Sequence, residues 1–448
     1  MIARAWIVGL SLALGWGLAQ ADERFEMPSR EFGTLSVSLP EAGQGKGVAI
    51  LFSPASGPSE AEDKAAEALL AQGLAVAVAD TGKLLTWARQ NEACLDLASV
   101  GQWLSQTLQQ RMGLPEYRPA LMAGREEGAW AVHALLAQAP DDVFAGGLSV
   151  GFVPGNPSGR PLCDLDVVGP DRHVSPGMPL HGWWQVADER RVRFDAARYA
   201  RQAAIASGRA PLEPLSSKPY ADMVALVLKP RASAGVAGIP VVEVSRHSHS
   251  GVLVIFYSGD GGWRTIDRRL GDALARDGYA VIGIDALRYF WRRRTPDGVA
   301  ADLARLIEHY REAWALDRIV LVGYSFGANI VPFAYNRLPE ELRQQVRMVA
   351  LLSPELSTDF EIHMAGWLGQ QASGQTAMPI LPEVLRIPEQ AVLCVHGDKE
   401  AASTLCTHPA LRQREIVVLP GGHHYDDRYD ALALRLVDAV LRRLPLNE

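Results

Sequence analysis

Cysteine is scarce in this chain: four residues in 448, with no Cys-x-x-Cys pair. Zinc knuckles and thioredoxin-like centres need that spacing, so neither is indicated and no cofactor is expected. A basic surplus is missing as well, the formal net charge being −7. Nucleic-acid binders carry a basic footprint, and that class is set aside. No low-complexity tract or long charge block interrupts an ordinary globular composition. Long apolar runs are absent apart from residues 5–18. That run follows Arg4 and precedes the small-residue site Ala19-Gln20-Ala21. It is shorter than the ~20 residues a membrane span requires. The pattern predicts a signal peptide over residues 1–21 and a soluble, exported mature protein. An even cysteine count in an exported chain predicts disulfides, Cys394–Cys406 and then, by remainder, Cys94–Cys163.

What is present is a repeat at a spacing of about 200 residues, too long for a solenoid and therefore a domain duplication. Residues 47–52 (GVAILF) match 251–256 (GVLVIF), and 69–80 match 274–285. Residues 121–124 match 320–323, 147–149 match 351–353, and 184–189 match 394–399. Continuous apolar runs of this kind, alternating with helical segments, predict an α/β fold with a mostly parallel sheet. The expected layout is a first α/β domain over 22–230, a linker over 231–238 and a second α/β domain over 239–448.

Gly323-Tyr324-Ser325-Phe326-Gly327 carries the chemistry. It follows an apolar strand-like run and precedes a helix-like one, the context of a G-x-S-x-G nucleophile elbow. Ser325 is therefore the expected nucleophile. Asp398 follows the apolar run 391–395 and is the expected acid; Glu400 competes, but the repeat alignment with Asp188 favours Asp398. The base is His423 or His424, in Gly421-Gly422-His423-His424. A metal site built on His423, His424, Asp426 and Asp427 is the weaker alternative, because adjacent histidines point apart on an extended chain. The N–H of Phe326 and that of Asp260, in the glycine-rich run 258–263, are the expected oxyanion donors. The first repeat has Glu126 in place of the serine and Pro54, which lacks an N–H, in the oxyanion loop. It is expected to be catalytically dead and to serve as scaffold, lid support or partner surface.

Residues 288–296 interleave Arg288, Arg292, Arg293 and Arg294 with Tyr289, Phe290 and Trp291. The arginines, with Trp291, are expected to hold a phosphate at a lipid surface, against a solvated loop as the plainer reading. Residues 354–385 are long for a connection and suggest a mobile cap.

The motifs SGDGGW (258–263), RYFW…RTP (288–296), GYSFGA (323–328) and GGHHY (421–425) resemble the AcvB/VirJ family of bacterial virulence proteins. The paired layout is similar to AcvB and implies two tandem α/β-hydrolase-like domains, a degenerate one over 22–230 and a catalytic one over 239–448. The resemblance implies a periplasmic α/β-hydrolase that cleaves the aminoacyl ester of lysyl- or alanyl-phosphatidylglycerol at the inner-membrane surface. It also implies a link to virulence and, for VirJ, to type IV secretion; envelope proteins are expected separately as partners of the first domain. An exported esterase or lipase of other specificity, or a non-catalytic secretion adaptor, are the competing readings.

Overall fold

A computed structural model of the chain describes residues 23–90, 94–139, 143–163, 165, 179–187, 196–207, 236, 238–362 and 377–444. The predicted signal peptide 1–21, residues 231–235 and 237 of the expected linker, and residues 363–376 of the expected cap lie outside them. The first half forms strands β1 (Glu23–Ser29), β2 (Gly33–Leu39), β3 (Gly47–Phe52), β4 (Leu74–Ala79), β5 (Ala120–Arg125), β6 (Phe144–Val150) and β7 (Trp183–Ala187). They make one sheet in the order β1-β2-β4-β3-β5-β6-β7. The second half contributes β8 (Val241–Ser245), β9 (Val252–Tyr257), β10 (Ala280–Ile284), β11 (Arg318–Tyr324) and β12 (Val346–Leu352). After the short pair β13 (Ser357–Thr358) and β14 (Met378–Pro379) come β15 (Val392–Gly397) and β16 (Glu415–Leu419). The second sheet runs β16-β15-β12-β11-β9-β10-β8, parallel except for β8. This is the strand order of an α/β-hydrolase.

Burial explains the composition of the strands. All six residues of β3, β9 and β15 are buried, as parallel strands covered on both faces require. The outermost β8 and β16 keep only partial burial. No helix among the described residues is long and apolar enough to cross a membrane.

The halves correspond in detail, with three changes to the expected alignment. Ser53 and Ser258 occupy the same place: each backbone N–H donates to the end of the neighbouring strand, at Ala79 O and Ile284 O. Each hydroxyl also takes an N–H from the next connection, Thr81 at 3.2 Å and Ala286 at 2.9 Å. Phe52 therefore stands where Tyr257 does, one residue from the sequence match. Further on, the elbow N–H groups of Glu126 and Ser325 donate to Val150 O and Leu352 O, so Gly151 and not Ser149 stands at the place of Ser353. Gly151 N–H donates to Ala187 O and Ser353 N–H to Val395 O. Ala187 thus corresponds to Val395, two residues from the match, and the pairing of Asp188 with Asp398 dissolves; Asp188 itself lies outside the described residues. Strands buried on both faces have no polar alternation to fix their register, and a two-residue slip leaves every side chain on its own face.

Candidate active site

Ser325 sits between β11 and the helix Phe326–Asn336 with φ 52° and ψ −116°. Side chains other than glycine rarely adopt such a backbone, which is held here by close packing. A Cβ on Gly323 would lie 2.4 Å from Gly327 O, and one on Gly327 would lie 2.2 Å from Tyr257 O. Only glycines allow the strand and helix to meet this tightly, and the turn lifts the serine hydroxyl off the sheet.

His423 Nε2 lies 2.8 Å from Ser325 Oγ, and its Nδ1 lies 2.9 Å from Glu400 Oε2. In the neutral tautomer these partners select, Nδ1–H donates to Glu400 and Nε2 accepts from the serine. The acid facing the histidine is therefore Glu400, which corrects the expectation of Asp398. Asp398–Glu400 is a single 3-10 turn after β15, so the two carboxylates diverge. Asp398 accepts the Gly421 N–H at 2.9 Å and fixes the glycine turn before the histidines. Glu400 is itself held by Ser353 Oγ–H at 2.5 Å and Gly397 N–H at 2.9 Å. Ser353, at φ 52°, is also 2.7 Å from the Tyr425 hydroxyl. His424 is exposed, with Nδ1 3.3 Å from the Tyr324 hydroxyl rather than at the serine. Among the described residues no group of three His, Cys, Asp or Glu is placed to hold a metal ion.

Burial alone would lower the pKa of His423, but the hydrogen bond and charge of Glu400, with Asp260 and Glu355 nearby, leave it raised. Burial would raise Glu400, yet its bonds from His423, Ser353 and Gly397 hold it below the usual range. Glu355, which the sequence reading passed over, is fastened by Asn329 through two hydrogen bonds of 2.9 and 3.1 Å. Burial and the charge of Asp260 raise its pKa.

The glycine-rich loop after β9 passes against the nucleophile: a Cβ on Gly259 would lie 3.7 Å from Ser325 Cβ. The Asp260 and Phe326 N–H groups donate to nothing among the described residues. In the first half Glu126 keeps the elbow, at φ 51° and ψ −115°. The counterpart of Asp260 is Ala55, not Pro54, and its N–H is taken by Glu127 Oε2 at 2.9 Å.

The arginine loop departs from expectation. Trp291 is 5% exposed and its indole donates to Leu114 O at 2.9 Å. Arg292 donates to Gly113 O at 2.8 Å, and Arg293 pairs with Glu361 at 3.1 Å. Arg294 donates to Tyr289 O and pairs with Asp302, while Arg288 pairs with Asp285 at 3.5 Å. All four guanidiniums have partners within the protein, which tie the loop to neighbouring residues. Interleaved arginine and aromatic residues read alike in either case, since both need apolar anchors and charged heads. Cys394 and Cys406 are bonded, bracketing the Glu400 turn, and Cys94 is bonded to Cys163.

Residues 251–444 match the family model described as bacterial virulence protein (VirJ). This segment of the chain is similar to the VirJ family. The matched segment contains Ser325, His423, Glu400 and the whole glycine-rich loop. Similar solved structures include an esterase from Pyrococcus furiosus, at 13% identity over 48% of this chain and 98% of that one, TM-score 0.34. Another is an α/β serine hydrolase without a lid from Xanthomonas campestris, at 18% identity over 47% and 90%, TM-score 0.32. A third is an α/β serine hydrolase homologue from Coxiella burnetii, at 20% over 45% and 89%, TM-score 0.30. No curated protein matches the chain.

Proposed function

We propose that the chain is a periplasmic serine hydrolase that cleaves the aminoacyl ester of lysyl- or alanyl-phosphatidylglycerol at the outer face of the inner membrane. The observation that carries the hydrolase reading is His423 bridging Ser325 at 2.8 Å and Glu400 at 2.9 Å. The substrate rests on the family resemblance, and the location on the signal-like residues 1–21.

In this reading Ser325 Oγ attacks the aminoacyl carbonyl carbon as His423 Nε2 takes its proton. Glu400 holds the imidazole and stabilises the imidazolium. The Phe326 and Asp260 N–H groups receive the developing oxyanion. His423 then gives its proton to the departing glycerol oxygen, leaving an acyl-serine. Water, deprotonated by the same histidine, releases the amino acid and restores the serine.

Purified wild-type and Ser325→Ala proteins, incubated with vesicles containing lysyl- or alanyl-phosphatidylglycerol, test the proposal. Free amino acid is expected from the wild type alone. Release by both proteins would remove Ser325 as nucleophile. Release by neither, with a nitrophenyl ester still cleaved by the wild type, would leave an esterase of other specificity.

A further inference from the structure

Helix Leu97–Arg111 of the first half buries Gln102, Ser105, Gln106 and Gln109, a row of polar groups that ordinarily faces water. Two amides of this helix reach into the second half. Gln102 Nε2 donates to Gly261 O at 3.1 Å, and Gln110 Nε2 to Ile362 O at 3.0 Å. Just beyond the helix, the Gly113 and Leu114 carbonyls take Arg292 and Trp291, and Tyr117 packs on Trp291 with ring centroids 5.3 Å apart. Apart from the Gln110 bond, these contacts converge on the loops that leave β9 and β10, whose Gly259 and Phe290 lie against Ser325 and Phe326.

We infer that the first half is a positioning unit for the oxyanion loop of the second, and that Gln102 is its positioning residue. Gly261 C=O and Gly262 N–H share one rigid peptide plane. The Gly262 N–H donates to Gly259 O at 3.0 Å. Gly259 C=O in turn shares its plane with the Asp260 N–H. Gln102 therefore orients the Asp260 donor through two planar peptides and one hydrogen bond. Each bond in such a chain also polarises the next, strengthening the terminal donor. The Ser258 hydroxyl also donates to Gly259 O at 3.1 Å, so the plane that carries the Asp260 N–H is held both by Ser258 and, through Gly262, by Gln102.

The environment of Gln102 agrees with this role. The residue is 1% exposed and its Oε1 has no partner among the described residues. A buried acceptor left unpaired costs stability, and an apolar residue of the same shape would avoid that cost. Only the donor on the same amide is used.

The inference rests on the hydrolase reading of the site, but its test has an arm that does not. Gln102→Met keeps length and burial while removing the donor; Gln102→Ala is the second variant. Losing an oxyanion donor outright costs about 10²–10³ in kcat, and misaiming one should cost about 10-fold. Expected for both variants are a kcat on nitrophenyl acetate lower by about that factor, KM unchanged, and a matching loss of affinity for a boronic acid that mimics the tetrahedral state. Hydrogen exchange read by mass spectrometry should quicken by about 10-fold over residues 258–264 and stay constant over 415–419. Wild-type kcat and boronate affinity in Gln102→Met would overturn the inference, even with faster exchange, since the tie would then serve stability alone. Should the wild type cleave no ester, the proposed function falls. Boronate affinity, which needs no turnover, then decides: a loss in Gln102→Met together with faster exchange over 258–264 supports the inference, and unchanged affinity or unchanged protection overturns it.

Discussion

Glu127 takes the Ala55 N–H at 2.9 Å in the first half, at the place where Asp260 offers an open N–H beside Ser325 in the second. The two halves share an elbow backbone, yet one has filled its anion site with its own carboxylate. Restoring the nucleophile should therefore restore nothing. Glu126→Ser in a Ser325→Ala background is expected to remain inactive on nitrophenyl acetate, and measurable serine-dependent turnover would contradict that.

The acid assignment separates two neighbouring carboxylates. Glu400→Gln should lower kcat by about 10³-fold or more, because the histidine loses its orienting partner. Asp398→Asn keeps an acceptor for the Gly421 N–H and should change kcat by about threefold at most. Steady-state kinetics decide it, and the reverse ranking would reinstate Asp398.

The base must be neutral to accept the serine proton, and His423 has a raised pKa. Activity is then present above that pKa and lost as pH falls through it. The acid limb of kcat/KM should lie above the ordinary histidine value of about 6.5. Glu400→Gln removes the main group holding the proton on, so its limb should move to lower pH. A limb that stays in place would detach it from His423.

The arginine loop should behave as structure rather than as a phosphate grip. Arg292→Ala, which removes the bond to Gly113 O, is expected to change turnover of aminoacyl-phosphatidylglycerol and of nitrophenyl acetate by the same factor. A loss confined to the lipid would return Arg292 to the substrate site.

Cys394–Cys406 closes a loop at a sequence separation of 12 around Glu400. Removing such a closure by Cys406→Ser should cost about 3 kcal/mol of stability. The loosened Glu400 turn should also lower kcat at temperatures where the fold persists. Parallel urea titration and kinetics read both; unchanged kcat in folded protein would show that the turn holds without its bracket.

The sheet class, the elbow and the glycine-rich loop were legible because each leaves a pattern in consecutive residues: apolar runs, and glycines where backbones meet. Glu400 was not. Its selection depends on a 3-10 turn that swings residues 398 and 400 apart and on Ser353, whose positive φ has no counterpart in its residue type. The repeat comparison pointed to Asp398 because apolar strands look alike after a two-residue slip. Gln102 and Glu127 were equally silent, since each acts on a residue far along the chain.

β16 has β15 as its one neighbour in the sheet, and Val418 on it is 54% exposed. The base stands just past the end of this rim strand, whereas the nucleophile follows β11 near the middle. Rim strands open more readily than central ones, by fluctuations that leave the rest of the sheet paired. The molecule should therefore fail from its margin inward. In rising urea, turnover should fade while circular dichroism still reports an intact sheet, and in that interval Ser325 would keep its strained perch with no base beside it.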